Sequence, residues 1–280
     1  MKHPHRELFP LTLIVLLLFV MQARAQNNVV PAWNHRQCAV ALTYDDGLNV
    51  HLDKVIPVLD SLGLKGTFYV PCNSSSLEKR LPEWKSIAAH GHELGNHTLF
   101  HPCNGKSKSR DWVKPEYDLD TYTIARILDE IRLSNTMLNA IDGKTKRTFA
   151  YTCDDRIVEG VSYVDSIRND FVGARGVVPG MNQMNNTDLF DIRSYMIDRQ
   201  SGEELIELVK TAKTEGALVV FLFHGVGGGH AINVELAEHN KLLRYLKNNE
   251  QDIWVAPLVE ISSHIREFQH SQSGQNVLKK

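Results

Sequence analysis

The chain has 280 residues, with 31 Lys and Arg against 33 Asp and Glu, and is 42% hydrophobic and 23% charged. These ordinary values exclude collagen-like, low-complexity and wholly disordered classes. A formal net charge of -2 lacks the basic excess of a nucleic-acid binder, so no nucleic-acid partner is expected.

The first 25 residues read as a secretory signal peptide. Lys2, His3, His5 and Arg6 precede an apolar run from Leu8 to Val20, and Ala23 and Ala25 supply a small-x-small cleavage site. Cleavage after Ala25 leaves residues 26–280 as a single catalytic domain, secreted or periplasmic. The apolar run is short for a span of about 20 residues, and no later stretch is longer, so no membrane span is expected after cleavage. Export permits disulfides. Cys38, Cys72, Cys103 and Cys153 allow three full pairings, and the sequence alone does not choose among them.

Apolar strand-like runs then alternate with helical patterns. Residues 38–44 read as a buried strand. Residues 51–62 have helical spacing and stop at Gly63. Strands are expected over 66–70 and 93–98, with a helix over 81–90 between them. A long amphipathic helix is expected over 118–141, then a strand over 147–152, a helix over 161–169 and weaker strands over 171–174 and 189–197. A helix over 203–214, the most apolar strand over 218–223, a helix over 234–248, a strand over 253–256 and a helix over 260–268 complete the pattern. This alternation predicts an α/β fold, an irregular (β/α) barrel of about seven parallel strands. No Gly-x-Gly-x-x-Gly opens the first helix, which argues against a dinucleotide-binding open sheet.

A parallel barrel carries function at the C-terminal ends of its strands. The first strand ends in Thr43-Tyr44-Asp45-Asp46-Gly47. Two adjacent carboxylates there are costly unless paired, solvated or bound to metal, although Asp-Gly also marks ordinary turns. The third strand leads into Asn96-His97-Thr98-Leu99-Phe100-His101. Two histidines four apart can converge on one ion from a helical turn, and Pro102 keeps any such turn brief. His224 follows six apolar strand residues and is either a general acid or base or a buried, hydrogen-bonded histidine. Taken together, Asp46, His97 and His101 offer two nitrogens and one oxygen to a divalent ion, with positions left for water and substrate.

In this order and spacing, Thr43–Gly47, Asn96–His101 and Leu222-Phe223-His224 resemble the motifs of the NodB-homology polysaccharide deacetylases, the family-four carbohydrate esterases. The resemblance runs from about Cys38 to Ile265. It implies a seven-stranded irregular barrel and a divalent metal, usually zinc, held by Asp46, His97 and His101. It implies that Asp45 is the general base toward the attacking water and His224 the general acid toward the leaving amine. The Cys153 N–H would stabilise the oxyanion, with Tyr151 beside it, and Leu222 would line the pocket for the acetyl methyl.

The third motif departs from the family. Its Arg, which braces the base, aligns with Ala150, its two prolines with Tyr151 and Thr152, and a usual Gly with Asp154. A variant branch also lacks that Arg. Arg175 and Arg193 are the candidates to replace it, the alternative for each being a surface or structural arginine. The fourth motif, Asp-x-x-Asp-Trp, is not visible. Cys103 follows the metal-ligand motif and Cys153 ends the third, so a Cys103–Cys153 disulfide would clamp the site, with Cys72 as the competing partner for Cys103. Trp112 is either a sugar-stacking platform or a loop residue, whereas Trp84 sits in a helix pattern as packing. Gly227-Gly228-Gly229 would let the backbone pass close to the site.

The expected function is deacetylation, with hydrolysis of N-acetyl and possible O-acetyl groups on an acetylated polysaccharide or oligosaccharide. The alternatives are a catalytically impaired carbohydrate-binding protein and a hydrolase of a non-sugar C–N bond.

Overall fold

The computed structural model describes residues 33–106 and 109–277. The signal-peptide expectation over residues 1–25 lies outside them. In chain order the strands are β1 (Cys38–Tyr44), β2 (Thr67–Val70), β3 (Glu93–Asn96), β4 (Thr148–Ala150), β5 (Ile157–Val158), β6 (Val161–Ser162), β7 (Gly173–Arg175), β8 (Tyr195–Met196), β9 (Leu218–Phe223), β10 (Gly225–Val226), β11 (Asn233–Val234) and β12 (Ile253–Val255). Seven of them form one parallel sheet ordered β7-β4-β3-β2-β1-β9-β8, and β12 pairs in parallel with the start of β1. The edges approach one another through a single segment. Ile192 bridges Arg175 of β7, and Tyr195 and Met196 pair with Phe221 and Leu222 of β9. The result is the expected irregular α/β barrel.

Alternation along β1 separates two cores. Cys38, Val40, Leu42 and Tyr44 pack outward with Leu59, Trp84, Val209 and Leu242 of the surrounding helices. Ala39 and Ala41 face the other way, with Tyr69, Phe149, Leu218 and Val220. Small residues on the central strand leave room for large aromatics from its neighbours. Trp84 is fully buried and its Nε1–H donates to Ser76 Oγ, as a packing residue should.

The helix Leu258–Val277 caps the N-terminal ends of β2 and β3. Its first amides donate to Thr67 Oγ1 and Glu93 Oε2, where a carboxylate also complements the positive end of the helix dipole. The N-terminal end of the barrel is thereby covered, and the C-terminal strand ends are left for the site. No helix among the described residues is long and apolar enough to cross a membrane.

Several local expectations are corrected. Instead of a helix over 161–169 there is a β5–β6 hairpin, turned by Glu159 and Gly160 at φ 53° and 75°, and one 3-10 turn at Asp165–Ile167. The strand expected over 189–197 shrinks to Tyr195–Met196, because the Asp188 carboxylate accepts from Phe190 N–H and turns the chain. The long helix begins only at Ile124, capped by Thr123. His97 and His101 lie on a loop, not a helical turn, and Thr98 and His101 have φ values of 64° and 54°.

Candidate active site

Asp45 and Asp46 leave β1 where its register with β9 ends. Asp45 N–H donates to Phe223 O at 2.9 Å. Asp46 and Gly47 then both take left-handed conformations, φ 76° and 57°. A Cβ on Gly47 would meet Val70 Cγ1 at 2.9 Å, so glycine is what allows the chain to turn there. This turn sends the two adjacent carboxylates in different directions.

Asp45 goes inward. Its Oδ2 lies 2.5 Å from Arg175 Nη2, and both side chains are almost wholly buried. Arg175 ends β7, beside Ala150 of β4, and its ring-facing side lies 5.2 Å from the Tyr69 centroid. Arg193 is exposed; of the two candidate braces, Arg175 is the one that reaches Asp45. Asp45 Oδ1 is buried and has no hydrogen-bond partner among the described residues.

Asp46 goes toward the histidines. Its Oδ1 is 3.6 Å from His97 Nε2 and 3.4 Å from His101 Nε2. Ligand atoms about 2.1 Å from one ion stand about 3.4 Å apart in a tetrahedron, so the trio fits a divalent metal. His97 Nδ1 lies 2.9 Å from Ala150 O, which as a donor leaves Nε2 bare for a metal. Burial, and then His97 nearby, push the His101 imidazole down to about 4, which favours the neutral ligand form. Burial alone would raise the Asp46 carboxyl, but the His97 hydrogen bond and the imidazoles of His101 and His224 hold it well below the usual range. The donor set of two nitrogens and one oxygen suits zinc and neighbouring divalent ions.

Asn96 does not join them. Its side chain donates to Ile131 O and Asn135 Oδ1 and accepts from Thr98 N–H, which turns the chain after β3 and aims His97 at the site. Cys103 and Cys153 are joined in a disulfide with Cα atoms 5.8 Å apart, while Cys38 and Cys72 are free and buried. The two sulfurs also stand near His101, but bonded to one another they offer no thiolate to a metal. Cys153 itself is left-handed, φ 53°, and Arg110 holds its carbonyl at 2.8 Å.

His224 follows β9. Its Nε2 is 3.9 Å from Asp46 Oδ2, and its carbonyl faces His51 Nε2 at 2.8 Å. Burial lowers its pKa against the pull of Asp45 and Asp46. These groups share one cavity of about 760 Å³, which Cys153, Tyr151, Leu222 and Trp112 also line. Tyr151 offers the cavity only its ring, since its hydroxyl donates to Phe190 O at 2.9 Å. Trp112 is 60% exposed at the rim, 6.4 Å from the His101 ring. His230, missed from sequence, lines the same cavity with Nε2 4.0 Å from Asp46 Oδ2. The triple glycine before it was the signal that it approaches the site.

Residues 34–156, which contain the two carboxylates, both candidate ligand histidines and the altered third motif, match the family model described as polysaccharide deacetylase. The match covers less than half of the chain, and over that segment the chain is similar to the polysaccharide deacetylases. The family's enzymes are hydrolases of non-peptide carbon–nitrogen bonds. A relative named gellan lyase, from Bacillus sp., is 26% identical over 181 residues, which are 65% of this chain and only 6% of that protein. The chain is thus a small fraction of that relative's length. Among solved structures, a putative polysaccharide deacetylase from Mycobacterium smegmatis is similar with a TM-score of 0.56 at 16% identity, covering 84% of this chain and 92% of that one. The PuuE allantoinase is similar with a TM-score of 0.57 at 10% identity, covering 85% and 94%. At these identities the two likenesses establish the fold.

Proposed function

We propose that the protein is a secreted or periplasmic metal-dependent deacetylase that hydrolyses N-acetyl groups, and O-acetyl groups by the same machinery, on sugars of a polysaccharide. The signal-like segment over residues 1–25 supports export. One observation carries the catalytic reading: a buried carboxylate braced by arginine, a metal-fitting trio and a histidine converge on one cavity.

Asp46, His97 and His101 would hold the ion, which supplies Lewis acidity toward the acyl oxygen and acidifies water. Arg175 fixes Asp45 Oδ2, so that Oδ1, which has no hydrogen-bond partner among the described residues, is the atom left to take the proton of the attacking water. Attack makes the carbonyl carbon tetrahedral and leaves the negative charge on its oxygen, which the N–H of Cys153, a residue that lines the cavity, would stabilise. His224 delivers a proton through Nε2 to the leaving nitrogen, and its lowered pKa makes its protonated form the stronger acid. Leu222, 1% exposed, gives the acyl methyl an apolar wall, and Trp112 at the rim offers a ring face to a sugar.

Acetate release by residues 26–280 from N-acetylglucosamine oligomers, peptidoglycan and acetylated xylan tests the substrate class. Release from at least one of them is expected. Release from none, with turnover of a small cyclic amide instead, overturns the sugar assignment.

A further inference from the structure

The loop after β10 is tied to itself. Gly225 N–H donates to Ile232 O at 3.0 Å, Gly227 N–H to Val234 O at 2.8 Å, and Gly228 N–H to Asn233 Oδ1 at 2.7 Å. Lys54 Nζ donates to Gly227 O. A Cβ on Gly225 would stand 2.6 Å from Gly228 O and 3.0 Å from His230 N, so only glycine lets the loop fold back so closely on the strand end.

This fold-back lays the His230 ring over that of His224. The centroids are 4.9 Å apart and the planes 18° from parallel. Both Nε2 atoms face the same oxygen, Asp46 Oδ2, at 3.9 and 4.0 Å. His224 meanwhile lacks the usual means of orientation. A working histidine is generally held through its second nitrogen, yet His224 Nδ1 is buried with no hydrogen-bond partner among the described residues. His230 Nδ1 accepts from Ile232 N–H at 3.0 Å, a bond that needs Nδ1 bare, and it lies farther, 3.3 Å, from the Ile232 carbonyl, to which Gly225 N–H donates at 3.0 Å. The hydrogen of the neutral His230 ring therefore sits on Nε2, on the side that lines the cavity.

We propose that His230 is a positioning residue for His224: its ring face holds the imidazole in place of a partner at Nδ1, and its Nε2–H adds a hydrogen-bond donor to the cleft. The role of His224 as acid rests on the deacetylase reading above. The stack and the His230 tautomer do not.

The test compares wild type, H230A and H230F, each loaded with zinc. Nitrogen-15 spectra of the histidine rings are recorded near pH 8, about 1.5 units above the ordinary histidine pKa. Wild type should show His230 as the Nε2–H tautomer. H230A should shift the His224 ring signals, and H230F, which keeps a stacked ring, should leave them close to wild type. In acetate-release assays H230A should lower kcat about 10-fold, the upper range for one aromatic pair. H230F should recover kcat to within about 3-fold but keep a KM raised about 3- to 10-fold, as expected for one lost hydrogen bond. His224 signals that do not move in H230A, a His230 protonated at Nδ1, or kcat falling equally in H230A and H230F would each overturn the proposal. The spectra need no substrate. Wild-type protein that releases acetate from nothing would end the deacetylase reading, and the spectra would still decide on His230.

Discussion

Arg175 Nη2 sits 2.5 Å from Asp45 Oδ2, joining the ends of β7 and β1 across 130 residues of sequence. Both groups are buried, so neither charge is tolerable alone. The arginine that the third motif lacks at Ala150 is supplied by the neighbouring strand.

That pair makes the first prediction. R175Q should lower kcat/KM about 100-fold, because a charge-assisted hydrogen bond of about 1.5–3 kcal/mol is lost from the Asp45 carboxylate, and should also lower Tm. R193A should stay within about 2-fold of wild type, as an exposed substitution does. Equal effects in the two variants would mean that Arg175 does not brace Asp45.

Metal binding gives a second. D46N, H97A and H101A each remove one atom from the trio, whose oxygen–nitrogen separations are 3.6 and 3.4 Å. Calorimetric zinc titration should show tight binding at a single site in wild type and severe weakening in all three variants. N96A should weaken it less, because Asn96 only turns the chain that carries His97. Undiminished zinc affinity in H97A would remove the trio as the site.

The disulfide gives a third. It closes a loop with a sequence separation of 50, and bridges of this kind stabilise by about 2–4 kcal/mol. C103S/C153S should lower Tm by about 5–15 °C on that basis. It should also reduce activity at temperatures where the fold is intact, since the bridge anchors the left-handed Cys153 beside the cavity. A double variant with unchanged Tm would show that the bridge does not constrain the chain.

Acid stability gives a fourth. Burial pushes the imidazoles of His51, His92 and His239 down to about 4. A depressed histidine contributes stability that is fully present above its ordinary value near 6.5 and is lost as pH falls through the folded value. For His239, wholly buried against Tyr44 and Phe223, the contribution is on the order of 3 kcal/mol. Urea unfolding should therefore show stability falling between about pH 6.5 and 4, with a shallower fall in H239Q. An identical pH slope in that variant would contradict it.

How far the sequence carried the reading follows from where each signal lay. Asp45, Asp46, His97, His101 and His224 stood at the ends of apolar runs, so strand alternation alone brought them to one face of the barrel. Arg175 was one of two candidates, because its partner lies on a distant strand and only the sheet order β7-β4-β3-β2-β1 shows how the two ends approach. The helical turn expected for His97 and His101 failed because Thr98 and His101 adopt positive φ, a choice imposed by the Asn96 and Thr98 side chains rather than by periodicity. His230 was missed because its position depends on a loop folding back on itself, and the three glycines signalled proximity without naming the residue that gains by it.

Acetate release and bound metal, measured together in wild type and D45N, test the catalytic reading most directly. The two proteins should bind zinc equally, and chelation should abolish wild-type release until zinc is restored. D45N should be slower by about 100- to 10,000-fold, the range for loss of a general base. Release that survives complete metal removal, or a D45N rate equal to wild type, would contradict a mechanism in which Asp45 takes the proton beside a metal held by Asp46, His97 and His101.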